Sequence, residues 1–265
     1  MKQRFGGKVA VVTAAGSGIG AATAAGFARE GAAVLVADLS GRRAEATAQA
    51  IEHDGGRVVW RKMDASIASE VEATIEAALD AFGRIDVMVN NAGYAETRYL
   101  HDLSVQAWER TLAVTLTSVF LGIKYTVPIM RRQAGGAIVN TASISGMRGE
   151  YGMGAYNAAK AGVINLTRTA ALENAAFGIR VNCVCPGGIN TRAPELLAGT
   201  QAEVFRQAMA AVHPLGRMGD ATEVAAAIRY LASEDASFIT GTSIVVDGGV
   251  TAHTGLPDMT QFATP

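Results

Sequence analysis

Thr13-Ala-Ala-Gly-Ser-Gly-Ile-Gly20 decides the fold. It stands between the β-branched run Lys8-Val-Ala-Val-Val-Thr13 and an alanine-rich helical stretch from Ile19 to Glu30, closed by Gly31. A glycine-rich turn between strand and helix lets the backbone approach a pyrophosphate. The helix's opening amides and positive dipole end then hold the anion. The glycines fall at 16, 18 and 20, so the spacing is not the usual G-x-G-x-x-G. Taken alone, the stretch also fits a tight turn in any α/β protein.

The pattern outside this turn decides between those readings. Ala33 to Ala37, Arg57 to Arg61, Ile85 to Val89, Ala137 to Thr141, Ile179 to Val184 and Ser243 to Val246 read as further strands. Helical stretches lie between them, at about Arg42–His53, Ile67–Phe82, Val105–Arg132, Ala155–Ala176 and Ala221–Ala232. Continuous apolar strands alternating with helices predict a doubly wound, seven-stranded parallel sheet, α/β in class, with helices on both faces. The alternation never breaks, so residues 1–265 are expected to form one domain. A long irregular substrate loop is expected at about 187–214 and an irregular tail at about 250–265.

Composition narrows the function. Of 265 residues 49% are apolar and 18% charged, which excludes a disordered chain. Net charge is −1, which argues against nucleic acid or an anionic membrane as partner. Val9 to Val12 is too short for a signal sequence or a membrane span. Cys183 and Cys185 are two apart on one strand, poor geometry for bridging each other. They read as buried thiols in a reducing compartment, so a soluble, cytoplasmic protein is expected. The four histidines have no metal-ligand spacing, and no metal is expected.

The second strand ends at Asp38. A carboxylate there is placed to accept the hydroxyls of an adenosine ribose, and it repels a 2′-phosphate. It also reads as a loop acid or a helix cap. No Lys or Arg stands at 14, 15, 17 or 39, and Arg42 and Arg43 are expected one turn into the next helix. NAD is therefore expected over NADP.

Tyr156 and Lys160 are four apart on one helix face. An ammonium beside a phenol favours the phenolate and so suits a general acid/base. A surface pair is the plainer reading. Ser143, at the end of the preceding strand, tips the balance. A strand's C-terminal end and the next helix's N-terminus share one rim of a parallel sheet, so hydroxyl and phenol converge on one substrate oxygen.

With these motifs in order, the chain resembles the short-chain dehydrogenase/reductase family, in its single-domain Rossmann-fold branch, from about Lys8 to Gly249. Asp64, Asn90-Asn-Ala-Gly93, Pro186-Gly187, Thr191 and Asp247-Gly-Gly249 complete the likeness. The resemblance implies an NAD-dependent oxidoreductase acting on a small secondary alcohol or ketone. It implies Ser143, Tyr156 and Lys160 as the catalytic set. Ala14, Ser17, Gly18 and Ile19 fall at the pyrophosphate, Asp38 at the adenosine ribose, and Asp64 and Ala65 beside adenine. Asn91 and Gly93 fall along the cleft. Lys160 falls at the nicotinamide ribose, with Tyr156 beside it, and Ile189 and Thr191 at the carboxamide. It also implies a homotetramer built on the long helices, where Leu116, Val119, Phe120, Ile123, Val163, Leu166 and Ala170 offer apolar surface.

Two positions depart from the family pattern. Ala14 replaces the first glycine of the turn. Thr115 replaces an asparagine that bends the helix and relays protons, and its hydroxyl is expected to bond a water or the carbonyl four residues back. Segments 94–101, 144–153 and 188–213 should form the substrate pocket. They suit a medium-sized, partly apolar alcohol, with Arg98, Arg148 and Arg192 at the solvent rim. Two other readings remain: a carrier-protein-linked 3-oxoacyl reductase using NADPH, and a non-catalytic dinucleotide sensor.

Overall fold

The computed structural model describes residues 3–257 and 259–262. The first two residues of the polar N-terminal stretch and positions 258 and 263–265 of the expected tail lie outside them. In chain order the elements are β1 (Val9–Thr13), α1 (Gly18–Arg29), β2 (Ala33–Asp38), α2 (Gly41–His53), β3 (Val58–Lys62), α3 (Ala68–Phe82), β4 (Val87–Asn90), α4 (Val105–Leu112), α5 (Ser118–Arg132), β5 (Gly136–Thr141), α6 (Gly154–Asn174), β6 (Ile179–Pro186), β7 (Ile189–Asn190), α7 (Ala193–Ala198), α8 (Ala202–Val212), β8 (Gly219–Asp220), α9 (Ala221–Ala232) and β9 (Ser243–Val246).

Seven strands form one parallel sheet in the order β3-β2-β1-β4-β5-β6-β9. The apolar strands are continuous because both faces are covered. Ala10 and Val12 of β1 pack with Ala24 and Phe27 of α1 and with Val224 and Ile228 of α9. Val11, pointing the other way, packs with Val71 and Ile75 of α3 and Leu121 of α5. Strand order reverses between β1 and β4, whose residues pair from Ala10↔Val87 to Val12↔Val89. The crevice outside the C-terminal ends at such a reversal is where open α/β sheets bind ligands. Thr13, Asn91 and Ser143 all come out there.

Two stretches differ from the sequence expectation. The helical stretch from Val105 to Arg132 is interrupted by a π-helical turn at Ala113–Thr117, where the Ser118 amide reaches back five residues to the Ala113 carbonyl. This 28-residue stretch is long and apolar enough to cross a membrane by length and composition alone. Here it flanks the sheet, with α5 packed on β4, β5, β6, α3 and α6. The connection after β6 is not irregular throughout. It holds α7 and α8, and β7 pairs with β8 in a small parallel ribbon, Ile189↔Gly219 and Asn190↔Asp220.

The apolar stripe expected to form an assembly surface divides. Val119, Val163 and Ala170 are buried in this chain's own core, whereas Phe120 is 48% exposed and Leu172, further along α6, is 82% exposed.

Candidate active site

The glycine-rich turn is held open from within. Ala14 takes a left-handed backbone conformation, φ +49°. That region disfavours any residue with a Cβ, so the Ala14 departure carries strain that glycine would not. Gly18 is also left-handed, at φ +53°. A Cβ on Gly20 would stand 2.2 Å from the Ala14 carbonyl oxygen, so α1 packs this close to the turn only with glycine there. Ser17 precedes α1 in extended conformation and contributes no side-chain cap. The first-turn amides, including those of Gly18 and Ile19, are thus left to an external acceptor.

Asp38 ends β2 at the lip of this turn, buried. Its Oδ2 accepts the Gly16 amide at 3.0 Å, and its Oδ1 accepts the Ser40 amide at 2.8 Å. Arg43 Nη2 also donates to Oδ1, at 2.9 Å. This corrects the sequence reading that left Asp38 without a nearby cation. Because α2 begins at Gly41, Arg43 lies in its first turn and folds back onto the carboxylate. Asp64 and Ala65 follow β3, half-buried, beside Asp38. The backbone joins them, since the Met63 amide donates to the Asp38 carbonyl at 2.9 Å. One Asp64 oxygen is taken by the Ser66 amide and hydroxyl, and the Asp64 amide donates to Glu70.

Asn91 pins the reversal point. Its Nδ2 donates to the Thr13 and Ala14 carbonyls at 3.3 and 3.4 Å, and its Oδ1 accepts the Thr141 hydroxyl at 3.1 Å. Three strand ends are tied together by one amide side chain, which therefore shapes the cleft. Gly93 is exposed in that cleft. A Cβ there would lie 3.5 Å from Lys160 Nζ.

Ser143, Tyr156 and Lys160 converge as expected, but their electrostatics do not follow the sequence reading. Ser143 is buried and donates to the Ser145 hydroxyl at 3.0 Å while accepting the Ser145 amide. Lys160 is 2% exposed and donates to the Thr141 carbonyl at 2.6 Å. Its Nζ sits 5.4 Å from the centre of the Tyr156 ring. Burial pushes the Tyr156 phenol up from 10.0 to about 12; the Ser143 hydroxyl pulls against this, and the Glu150 carboxylate adds to it. Burial also brings the Lys160 ammonium down from 10.5 to about 8, against an opposing influence of Cys185 and Cys183. The expected phenolate is thus not favoured in the protein by itself. Both cysteines are free and buried.

Thr115 is buried, and its hydroxyl is committed to the backbone of the 94–101 segment. It donates to the Tyr94 carbonyl and accepts the Tyr94 amide, each at 3.0 Å. This corrects the expectation of a bound water or a bond to the carbonyl four residues earlier. The bend itself persists as the π turn around Thr115.

Ile189 is buried in β7, and Thr191 stands over the glycine-rich turn, its methyl 3.1 Å from where a Cβ on Gly18 would be. His213 holds this side. Its Nδ1 donates to the Met209 carbonyl at the end of α8, and its Nε2 accepts the Gly188 amide at 3.1 Å. The outer lip is a cavity of about 320 Å³ lined by Thr97, Arg98, Tyr99, Asp102, Tyr151 and Gly152. Arg98, Arg148 and Arg192 are all exposed, as a solvent rim requires.

Sequence reasoning set Arg43 aside as too far along α2, and missed Ser145 and the role of His213. Ser145 carried a signal, being two residues beyond Ser143. The other two are brought in by the path of α2 and α8.

The family model described as enoyl-(acyl carrier protein) reductase matches residues 13–251. The chain is 47% identical to the cis-4-hydroxycyclohexanecarboxylate dehydrogenase of Sinomonas cyclohexanicum, over 95% of this chain and 100% of that one. It is 41% identical to the cyclohexanol dehydrogenase of Acinetobacter sp. (strain SE19), over 95% and 98%. Its structure superposes on the crystal structure of levodione reductase with a TM-score of 0.90 at 36% identity, covering 94% of this chain and 99% of that one.

Proposed function

Because the chain belongs to the short-chain dehydrogenase/reductase family, we propose that it transfers hydride between NAD(H) and a secondary alcohol or ketone on a six-membered carbon ring. The observation that carries this reading is the Ser143 hydroxyl and Tyr156 phenol meeting at the cleft's inner end, with Lys160 buried behind the ring.

The residues fit a dinucleotide. The open turn with its free first-turn amides receives the pyrophosphate, with Ala14, Ser17, Gly18 and Ile19 around it. Asp38 receives the adenosine ribose, Asp64 and Ala65 flank the base, and Asn91 and Gly93 line the cleft. Lys160 holds the second ribose, and Ile189 and Thr191 orient the carboxamide. When bound, the nicotinamide supplies the hydride acceptor or donor. Ser143 orients the substrate oxygen, and Tyr156 gives or takes its proton. A phenol held near 12 is firmly protonated at neutral pH, the form that donates to a ketone. Alcohol oxidation needs the phenolate, so added positive charge beside the ring or alkaline pH favours that direction.

Two relatives named for cyclohexane-ring alcohols support the ring substrate. The tyrosines and apolar side chains of the three pocket segments suit such a ring. A homotetramer is proposed on the exposed Phe120 and Leu172. The paired but unbridged buried cysteines suit a reducing cytoplasm.

The test is NAD reduction over a panel of cyclohexanol, both 4-hydroxycyclohexanecarboxylate isomers, 2,3-butanediol and a 3-hydroxyacyl thioester. The ring alcohols should show the highest kcat/KM. Faster turnover of the thioester with NADP would put the carrier-linked reductase in its place, and dinucleotide binding without turnover would favour the sensor.

A further inference from the structure

Asp38 carries more donors than a ribose receptor has room for. A carboxylate oxygen offers two lone-pair directions. Oδ2 has one filled, by the Gly16 amide. Oδ1 has both filled, by the Ser40 amide and Arg43 Nη2. A vicinal diol that donates one hydroxyl to each oxygen must therefore displace a donor from Oδ1. The Ser40 amide is fixed, because Ser40 caps α2 and its hydroxyl accepts the Arg43 amide. The guanidinium is not fixed. It ends a side chain 37% exposed, and its Nε is buried without a partner among the described residues. Moving outward restores to water a hydrogen-bonding group that the closed position leaves unmet.

We propose that Arg43 is a gate on the adenosine-ribose site. In the free protein it occupies the oxygen that the ribose needs. It swings out when the diol binds, and its outward position meets a phosphate on the 2′-hydroxyl where one is present. This rests on the reading of Asp38 as the ribose receptor. The gate lowers affinity for the unphosphorylated ribose in proportion to its closed population. It also supplies the phosphorylated ribose with a forked cation that Asp38 alone denies it. Arg43 thus narrows the discrimination that Asp38 sets.

The experiment is calorimetric titration of the full chain with ADP-ribose and with 2′-phospho-ADP-ribose, which share every group but the phosphate. Arg43→Gln should bind ADP-ribose about threefold or more tighter and 2′-phospho-ADP-ribose about tenfold or more weaker. A merely structural role for Arg43 would move both probes in one direction. Unchanged or weaker ADP-ribose binding in Arg43→Gln overturns the gate. A wild-type protein that does not bind the phosphorylated probe, or a variant that binds it equally well, overturns the phosphate contact. Asp38→Asn separates the two readings. If it loses ADP-ribose while Arg43→Gln is unchanged, the gate alone fails. If it binds ADP-ribose like the wild type, the receptor reading fails and the gate with it. Thermal unfolding of each variant establishes that it is folded.

Discussion

At the end of the cleft proposed to take adenosine, the buried charge of Asp38 is surrounded by donors: two amides and a guanidinium within 3.0 Å. At the chemical end, Lys160 is buried with a single carbonyl partner at 2.6 Å, and Tyr156 beside it is displaced in the opposite sense. At one end the carboxylate is filled by the protein's own donors. The other is left short of countercharge. Binding at the first end and proton transfer at the second therefore respond to different changes. Carboxylates gain from donors, whereas a proton carrier works best when its affinity is matched to the working pH.

The largest expected effect breaks the chemical end and spares the other. Tyr156→Phe keeps the ring but removes the proton, so kcat should fall by about 10² or more, the scale of general acid–base catalysis. ADP-ribose binding should hold within about twofold, since Asp38 is untouched. Retained turnover would remove the mechanism.

Lys160 offers a test in stability. Below about pH 8 it is protonated both folded and unfolded, and its burial counts against the fold in full. Between about 8 and the 10.5 of the unfolded chain, the unfolded state holds more protons, so stability rises with pH. The wild type should therefore gain on the order of 2 kcal/mol over a Lys160→Met variant between pH 8 and 10, at up to about 1.4 kcal/mol per unit. Denaturant melts at several pH values measure it, and a flat difference contradicts the buried ammonium. The range stops at pH 10 because Tyr156, raised from 10.0 to about 12, acts in the opposite sense above that.

Thr115→Val leaves the Tyr94 amide and carbonyl without their partner, at roughly 1–3 kcal/mol of stability. Because the damage is to the 94–101 segment, proposed to line the substrate pocket, KM should rise several-fold while kcat changes less. Thr115→Ser should restore both, and Thr115→Asn, with a donor and an acceptor of its own, should leave turnover equal or higher. A large loss of kcat alone would return Thr115 to a proton-relay role.

The smallest effect sharpens the binding end. Ala14→Gly relieves a left-handed alanine, which disfavours the fold by roughly 1–2 kcal/mol. Against this stands the greater freedom of glycine in the unfolded chain, about 0.4–1 kcal/mol. A net gain of up to about 1 kcal/mol is expected in chemical denaturation. A loss would mean that the alanine methyl packs usefully against the turn.

How much of this was legible differs from residue to residue. The inner strands were readable because strands covered on both faces must be apolar throughout, and helices between them must carry a stripe. The edge strand β3 is exposed at Trp60, Arg61 and Lys62 and was readable only from its Val58-Val59 start and its place in the alternation. Asp38, Ser143 and Tyr156 were readable because position at a strand end or helix start also specifies position on the rim. The long helix was readable, but its π turn was not; Thr115 within that turn bonds Tyr94, 21 residues away, a contact that no local pattern announces. The 187–214 stretch read as irregular because α7 is only six residues long and ends at Gly199. α8 does carry an apolar period, at Phe205, Ala208, Met209 and Val212, which the reading passed over.

By itself, the sequence determined the sheet, the order of its elements, the glycine-rich turn after β1 and the shared rim on which Ser143, Tyr156 and Lys160 come together. These follow from local pattern and from chain direction in a parallel sheet, where every strand delivers its C-terminal end to the same edge. Only the tertiary structure decided the charge state of that centre and the occupancy of Asp38. Spacing placed an ammonium near a phenol, but the sign of each pKa shift depends on burial by β5, β6 and the loops around Ser143. Spacing likewise left Arg43 on a helix, but whether a guanidinium reaches a carboxylate five residues earlier depends on the angle at which α2 leaves β2. Electrostatic energy depends on distances and on solvent removed by packing, and neither is a property of sequence spacing.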